Sequence, residues 1–212
     1  MKTFVVSDIH GDLALLHKCI AAIESFADTG TVIFTGDYVD RGPDSAGVVE
    51  YLMQGPENNG FRWSFIRGNH EDMILACHDG MDFEWWLRNG GDATLKSYDG
   101  SVTPAHLLWI SLLPRLTWDR HRVYVHAGLD STIPLTEQSQ EDTQWKRYRK
   151  TDHDPYPGKH IVHGHTPIKD GPELLEWRTN LDTGGVFTGR MVVGVFDDAI
   201  PGGPVTTIEV TR

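Results

Sequence analysis

Thiols are scarce in this chain of 212 residues. Cys19 and Cys77 stand far apart and form no Cys-x-x-Cys pair. That argues against redox chemistry and leaves buried or idle thiols. Long hydrophobic runs are missing too, and no stretch approaches the roughly 20 apolar residues that a membrane helix needs. The opening MKTFVVSDIHG turns polar after a short apolar run, too soon for a secretory signal, so a cytoplasmic protein is expected. Positive charge is in short supply: 19 Lys and Arg face 30 Asp and Glu, for a formal net charge of −11. A nucleic-acid binder owes its affinity to phosphate neutralisation, so neither a nucleic acid nor a membrane is an expected partner. Repeats, low-complexity segments and linkers are absent, which predicts one domain over residues 1–212.

What is present is alternation. TFVVS (3–7), residues 31–35 and FRWSFI (61–66) read as buried strands. Between the first two, residues 12–26 carry Leu13, Leu16, Ile20 and Ile23 on one helical face, with Asp12 as N-cap. Pro43 suits the first turn of a second helix running to Gly55. A β-α-β-α-β order favours a largely parallel sheet. In MDFEWWLRNGGDATLKSYDG, an Asn-Gly-Gly break divides two helices, and Thr103-Pro104 opens another that ends before Pro114. Strands return at 122–126, 160–163, 178–182, 190–196 and 205–210. Two packed sheets with helices outside are predicted.

Five of these apolar runs end in a polar cluster containing glycine. They are DIHG (Asp8, His10), GDYVDRG (Asp37, Asp40, Arg41), RGNHE (Arg67, Asn69, His70, Glu71), HAG (His126) and HGHTP (His163, His165). Each alone reads as a turn or a cap. Together they aim carboxylate, imidazole and amide groups at one sheet edge. Those donors suit divalent manganese, iron or zinc. One carboxylate, that of Asp37, can bridge two ions roughly 3.5–4 Å apart, as in two-metal hydrolases. Two divalent ions against two aspartates and one hydroxide leave a positive site that attracts phosphate, whereas a single ion would leave it negative.

In this order the clusters resemble the phosphoprotein phosphatase family of calcineurin-like metallophosphoesterases, closest to short bacterial and phage serine/threonine phosphatases. WLRNGG (86–91) and LDTGG (181–185), with a phenylalanine two residues on, resemble them too. The resemblance implies an α/β fold of two packed mixed sheets flanked by helices, a four-layer αββα sandwich. It implies that Asp8 and His10 hold a first metal, Asp37 bridges, and Asn69, His126 and His165 hold a second. His70 would be the general acid, Asp40 its orienting partner, and Arg41 a phosphate ligand. Arg147, in a Trp-x-Arg context, would be a second phosphate ligand. The cofactors would be two divalent ions, manganese first, with iron or zinc fitting the same donors. Many phosphodiesterases of the superfamily end this last motif in GHxH; here Pro167 takes that place, which is the phosphatase pattern.

The implied reaction is attack of a metal-bridging hydroxide on a phosphoserine or phosphothreonine ester in a protein or peptide. Asp40 is expected to raise the pKa of His70 so that it can protonate the alkoxide. The alternative for Asp40 is an ion pair with Arg41. Dinucleoside polyphosphate hydrolases share four clusters but typically read GDxVARG, so Asp40 favours a phosphoprotein. A small-molecule phosphate is the runner-up substrate, and a catalytically dead binding module is disfavoured because no expected ligand is lost. KRYRK (146–150) reads as a solvated helix face or a steering rim. Trp85 and Trp86 line a substrate groove or pack into the core. Glu71 caps a helix or pairs with an arginine, and His163 is a packing residue before it is a ligand.

Overall fold

A computed structural model describes all 212 residues. The elements in chain order are β1 (Lys2–Val6), α1 (Leu13–Phe26), β2 (Gly30–Phe34), α2 (Ser45–Gln54), β3 (Phe61–Phe65), α3 (Asn69–His78) and α4 (Phe83–Trp86). After a wide turn at Leu87–Gly91 come α5 (Asp92–Ser97), α6 (Pro104–Leu112), β4 (Leu116–Trp118), β5 (Arg122–Val125) and α7 (Gln140–Trp145). The chain closes with β6 (His160–His163), β7 (Glu173–Leu174), β8 (Arg178–Asn180), α8 (Gly185–Thr188), β9 (Arg190–Asp197) and β10 (Thr206–Thr211).

Ten strands make two five-stranded mixed sheets, ordered β10-β9-β1-β2-β3 and β4-β5-β6-β8-β7. In the first, β1, β2 and β3 run parallel. In the second, β5, β6 and β8 do. Antiparallel pairs occupy one flank of the first sheet and both flanks of the second. Alternation explains how one strand serves two layers. On β1, Phe4 and Val6 face the helices with Leu15, Leu16 and Val48, while Val5 faces the other sheet with Ile33, Tyr124, Val162 and Phe196. The far face of the second sheet, with Val123, Val125 and Ile161, is sealed by Leu129, Tyr148 and Trp177.

Local signals were mostly read correctly. Asp12 caps α1, accepting from Leu15 N at 3.0 Å, and Thr103 caps α6 ahead of Pro104. The Asn-Gly-Gly break is a kink at Gly90, φ 104°. Helix α2 does not begin at Pro43. Asp44 caps it, accepting from Gly47 N at 2.8 Å, and the helix opens at Ser45. A side-chain oxygen satisfies an orphan N–H that proline only tolerates. Lys146–Lys150 are not a helix face, because α7 ends at Trp145. There Lys146 pairs with Asp154 at 2.9 Å, and Tyr148 turns into the core. Strands β4 and β7, three and two residues long, carry too little period to be read.

Candidate metal centre

All six parallel strands run toward the same cleft, so their C-terminal ends converge. Asp8 and His10 follow β1; Asp37, Asp40 and Arg41 follow β2; Asn69 and His70 open α3 after β3. His126 follows β5 and His165 follows β6. The sixth strand, β8, delivers Asp182, which the sequence reading did not assign. Its signal was an aspartate and two glycines, LDTGG, directly after a strand. The turns that splay these side chains inward are strained. Six of the eight non-glycine residues at positive φ lie here: Asp8 (48°), His10 (47°), Asp37 (54°), Asp40 (70°), Arg41 (70°) and His165 (67°). Each costs roughly 1–3 kcal/mol, and such residues gather where function demands them.

Glycines permit the close approaches. Gly36, at φ 93°, lets the β2 loop lie against the backbone of Gly68. Gly164 leaves room for the Ser7 hydroxyl and the Asp8 carboxylate. Glu71 ties the loops together, accepting from the backbone N–H groups of Asp37, Tyr38 and Gly68, each at 2.8 Å. It is thus both the expected helix cap and the anchor of the neighbouring loop.

Two buried donor clusters share Asp37: His10, Asp37 and His70, and Asp37, His126 and His165. Asp37 Oδ2 lies 3.5 Å from His10 Nε2, and Oδ1 lies 3.4 Å from His126 Nε2. One carboxylate therefore faces both. Asn69 Oδ1 joins the second cluster, 2.8 Å from His126 Nε2 and 3.1 Å from His165 Nδ1. Asp8 stands beside the clusters rather than in them. It accepts from the Ser7 hydroxyl and from His165 N at 3.0 Å, with Asp182 as its carboxylate neighbour.

Proton placement tests whether cations suit these residues. His10 Nδ1 donates to Val39 O at 2.8 Å and His126 Nδ1 to Thr35 O at 2.9 Å. Both Nε2 atoms therefore carry bare lone pairs. In the second cluster the bare His126 nitrogen, the Asn69 amide oxygen, the Asp37 carboxylate and His165 Nδ1 meet, a donor set that suits a cation. In the first cluster a cation already stands: Arg41 donates Nη1 to His10 Nε2 at 2.6 Å and Nη2 to His70 Nε2 at 2.9 Å. Oxygen and imidazole donors without thiolate fit divalent manganese, iron or zinc.

The carboxylates agree. Burial, then Asp182 and Asp37, push Asp8 well up; burial, then Glu71, push Asp37 well up. Asp182 rises to about 6, again through burial first. Burial shifts these acids toward the protonated form, and a divalent ion would favour the carboxylates. The histidines are pushed the other way, His126 to about 3 by burial, with the charges of His70, Arg147 and Arg41 lowering it further.

His70 and Asp40 form a dyad, Nδ1 to Oδ2 at 2.7 Å. Asp40 is not paired with Arg41. Trp86 Nε1 donates to it at 3.0 Å and the Thr94 hydroxyl at 2.7 Å. Trp86 is thus buried and structural to the dyad, whereas Trp85 is exposed. The expectation that Asp40 raises the pKa of His70 is corrected here. Burial, then the Arg41 guanidinium, hold His70 well below its usual range, and burial lifts Asp40 to about 7. Burial disfavours the charged form of each partner, and with Arg41 donating to Nε2 the ring proton of His70 lies on Nδ1, toward Asp40. Arg147 is exposed on the rim, 3.5 Å from the Thr166 hydroxyl. His163 turns away, bonding Gly164 O at 3.0 Å and Arg178 Nη1 at 3.2 Å, so it is a packing residue.

Known proteins share the family and the fold. The sequence profile described as calcineurin-like phosphoesterase matches residues 1–189. Serine/threonine-protein phosphatase 1 of Salmonella typhimurium is 30% identical over 202 residues, covering 90% of this chain and 89% of that protein. The symmetrical bis(5'-nucleosyl)-tetraphosphatase of Klebsiella pneumoniae is 32% identical over 132 residues, 61% of this chain and 44% of that one. A cold-active protein-tyrosine phosphatase of Shewanella shares the fold, with TM-score 0.70, 17% identity and coverage of 99% and 80% of the two chains.

Proposed function

This chain belongs to the calcineurin-like phosphoesterases, and from that membership we propose that it hydrolyses phosphoserine and phosphothreonine esters in proteins. The observation that carries the reading is the Asp40–His70 dyad, buried and held by Trp86 and Thr94. A serine or threonine alkoxide leaves only if it is protonated, and a backed imidazole does that. A nucleotide leaving group is already acidic and has no need of it.

Asp8, His10 and Asp37 would hold one divalent ion, and Asp37, Asn69, His126 and His165 the other, with Asp182 orienting Asp8. Bound there, the ions supply charge for the phosphoryl oxygens and lower the pKa of a water. The chain's own residues do the rest. Arg41 leaves the two imidazoles for a phosphate oxygen, which it grips in the planar, bidentate manner of guanidinium. Arg147 approaches from the rim. Once Arg41 turns to the phosphate dianion, the charge that held His70 down is reversed. His70 then takes a proton from solvent on Nε2 and delivers it to the departing oxygen, while its Nδ1–H donates to the Asp40 carboxylate. Strand-end loops exclude bulk water from the buried donors.

The test is a rate comparison, with manganese added, between phosphoserine or phosphothreonine peptides and diadenosine tetraphosphate. Faster peptide hydrolysis supports the reading. Preference for the dinucleotide would transfer it to the nucleotide hydrolases, whose Klebsiella representative is matched over less than half its length.

A further inference from the structure

Beside the metal clusters, α3, α4 and α7 enclose a cavity of about 170 Å³ lined by Asp72, Met73, Asp82, Trp85, Gln140 and Trp145. Trp145 forms the wall shared with the site: its ring stands edge-on to that of His165, centroids 6.1 Å apart. Trp85 forms another wall and is 50% exposed, leaving its ring open to an incoming side chain. Asp72 is already engaged, by Arg67 at 2.9 Å and Gln140 at 2.9 Å. Asp82 is not. It is exposed, sits at φ 46°, and its side chain does not cap the helix that follows.

We propose that this cavity is a subsite for a positively charged side chain, arginine or lysine, of the phosphorylated chain; this rests on the protein-phosphatase reading above. Charge complementarity decides the occupant. An indole face attracts a cation, and a carboxylate without an internal partner completes the pair. A polyphosphate would meet the free charge of Asp82 in a protein of net charge −11 and be repelled. The cavity shares its Trp145 wall with the His165 side of the cleft, and side chains two residues apart on one face of an extended peptide lie about 6.6 Å apart, so a basic residue two positions from the phosphorylated one is the first to test.

The experiment uses the full chain and phosphoserine peptides that differ only in carrying Arg, Ala or Glu two positions away on either side. The Arg peptide is expected to exceed the Ala peptide by about tenfold in kcat/KM, through KM, and the Glu peptide to be poorest. Trp85→Ala should reduce the Arg-to-Ala ratio to about twofold, and Asp82→Lys should invert the order in favour of Glu. Melting curves confirm that each variant is folded. Hydrolysis of all three peptides at equal rates overturns the subsite and leaves the phosphatase reading standing. Turnover of para-nitrophenyl phosphate with no peptide hydrolysed overturns both. If Trp85→Ala impairs diadenosine tetraphosphate turnover without altering the peptide ratio, the slot holds a nucleobase and the proposal fails.

Discussion

The two donor clusters that meet at Asp37 differ in how their lone pairs are balanced. On the His10 side, a guanidinium already sits between two imidazoles, with Arg41 within 2.9 Å of both His10 and His70. Arginine side chains rotate, so that balance is reversible. On the His126 side, Asn69, His126 and His165 approach within 3.1 Å with no cationic side chain bonded among them, and His165 Nε2 is unpartnered. A divalent ion suits that side. The two halves therefore differ in whether an internal cation stands among their donors.

The strongest way to break the comparison is to remove what the halves share. Asp37→Asn should empty both by elemental analysis. Several kcal/mol of transition-state stabilisation goes with the ions, so turnover should fall at least about 10³-fold. Full metal content in this variant would show that Asp37 does not bridge.

Asp40→Asn leaves both clusters intact and removes only the partner of His70. Alkyl phosphate hydrolysis should drop about 10²–10³-fold, the usual reach of general acid catalysis. An aryl phosphate, with its better leaving group, should lose clearly less. Equal losses on the two substrates would remove His70 from the acid role.

Sharper discrimination comes from His126→Ala beside His10→Ala. The first manganese equivalent, followed by calorimetry, should weaken by about 10–100-fold in His126→Ala, at the scale of a disturbed metal site. His10→Ala should leave that equivalent nearly unchanged and weaken the second. The reverse result would invert the assignment of the halves.

The smallest expected effect is on stability. Manganese at about 100 times its Kd adds about 2.7 kcal/mol, or roughly 5–10 °C in Tm for a protein of this size. That gain should shrink between pH 7.5 and pH 5.5, and the sign follows from the titrating groups. Burial lowers His126 to about 3, so its contribution to stability is full above the ordinary histidine range and fades as pH falls below it. Burial raises Asp182 to about 6, so its contribution is full below the ordinary carboxylate range and is lost as pH rises through 6. In the metal-free protein these trends oppose each other. An added ion relieves the carboxylate cost at high pH, and protons compete with it for both groups at low pH. A gain independent of pH would place the ion away from these residues.

Most of the site was legible because chain and strand direction cooperate. A short apolar run that stops at Asp8, Asp37 or His126 declares both a buried strand and its polar end. Asp182 was passed over because the expected strand ran on through residue 182, whereas β8 ends at Asn180 and leaves Asp182 at its polar end. Trp86 and Thr94 could not be linked to Asp40, since nothing in the local pattern of residues 83–97 says which loop the helices will back. The lowered pKa of His70 was missed for a related reason. Proximity to Asp40 could be guessed from the resemblance, but the depth of burial and the reach of Arg41 could not.

Residue types, their order and the periodicity of the runs between them were enough to determine the parallel strands, the caps at Asp12 and Thr103, and most of the polar side chains that gather at one cleft. Those properties are local and are written in neighbouring side chains. Only the tertiary structure decided which donors share a half, where Arg41 rests, that Asp8 leans on Asp182, and that Trp85 and Asp82 open beside Trp145. These depend on how two sheets pack, and packing joins residues that lie far apart along the chain.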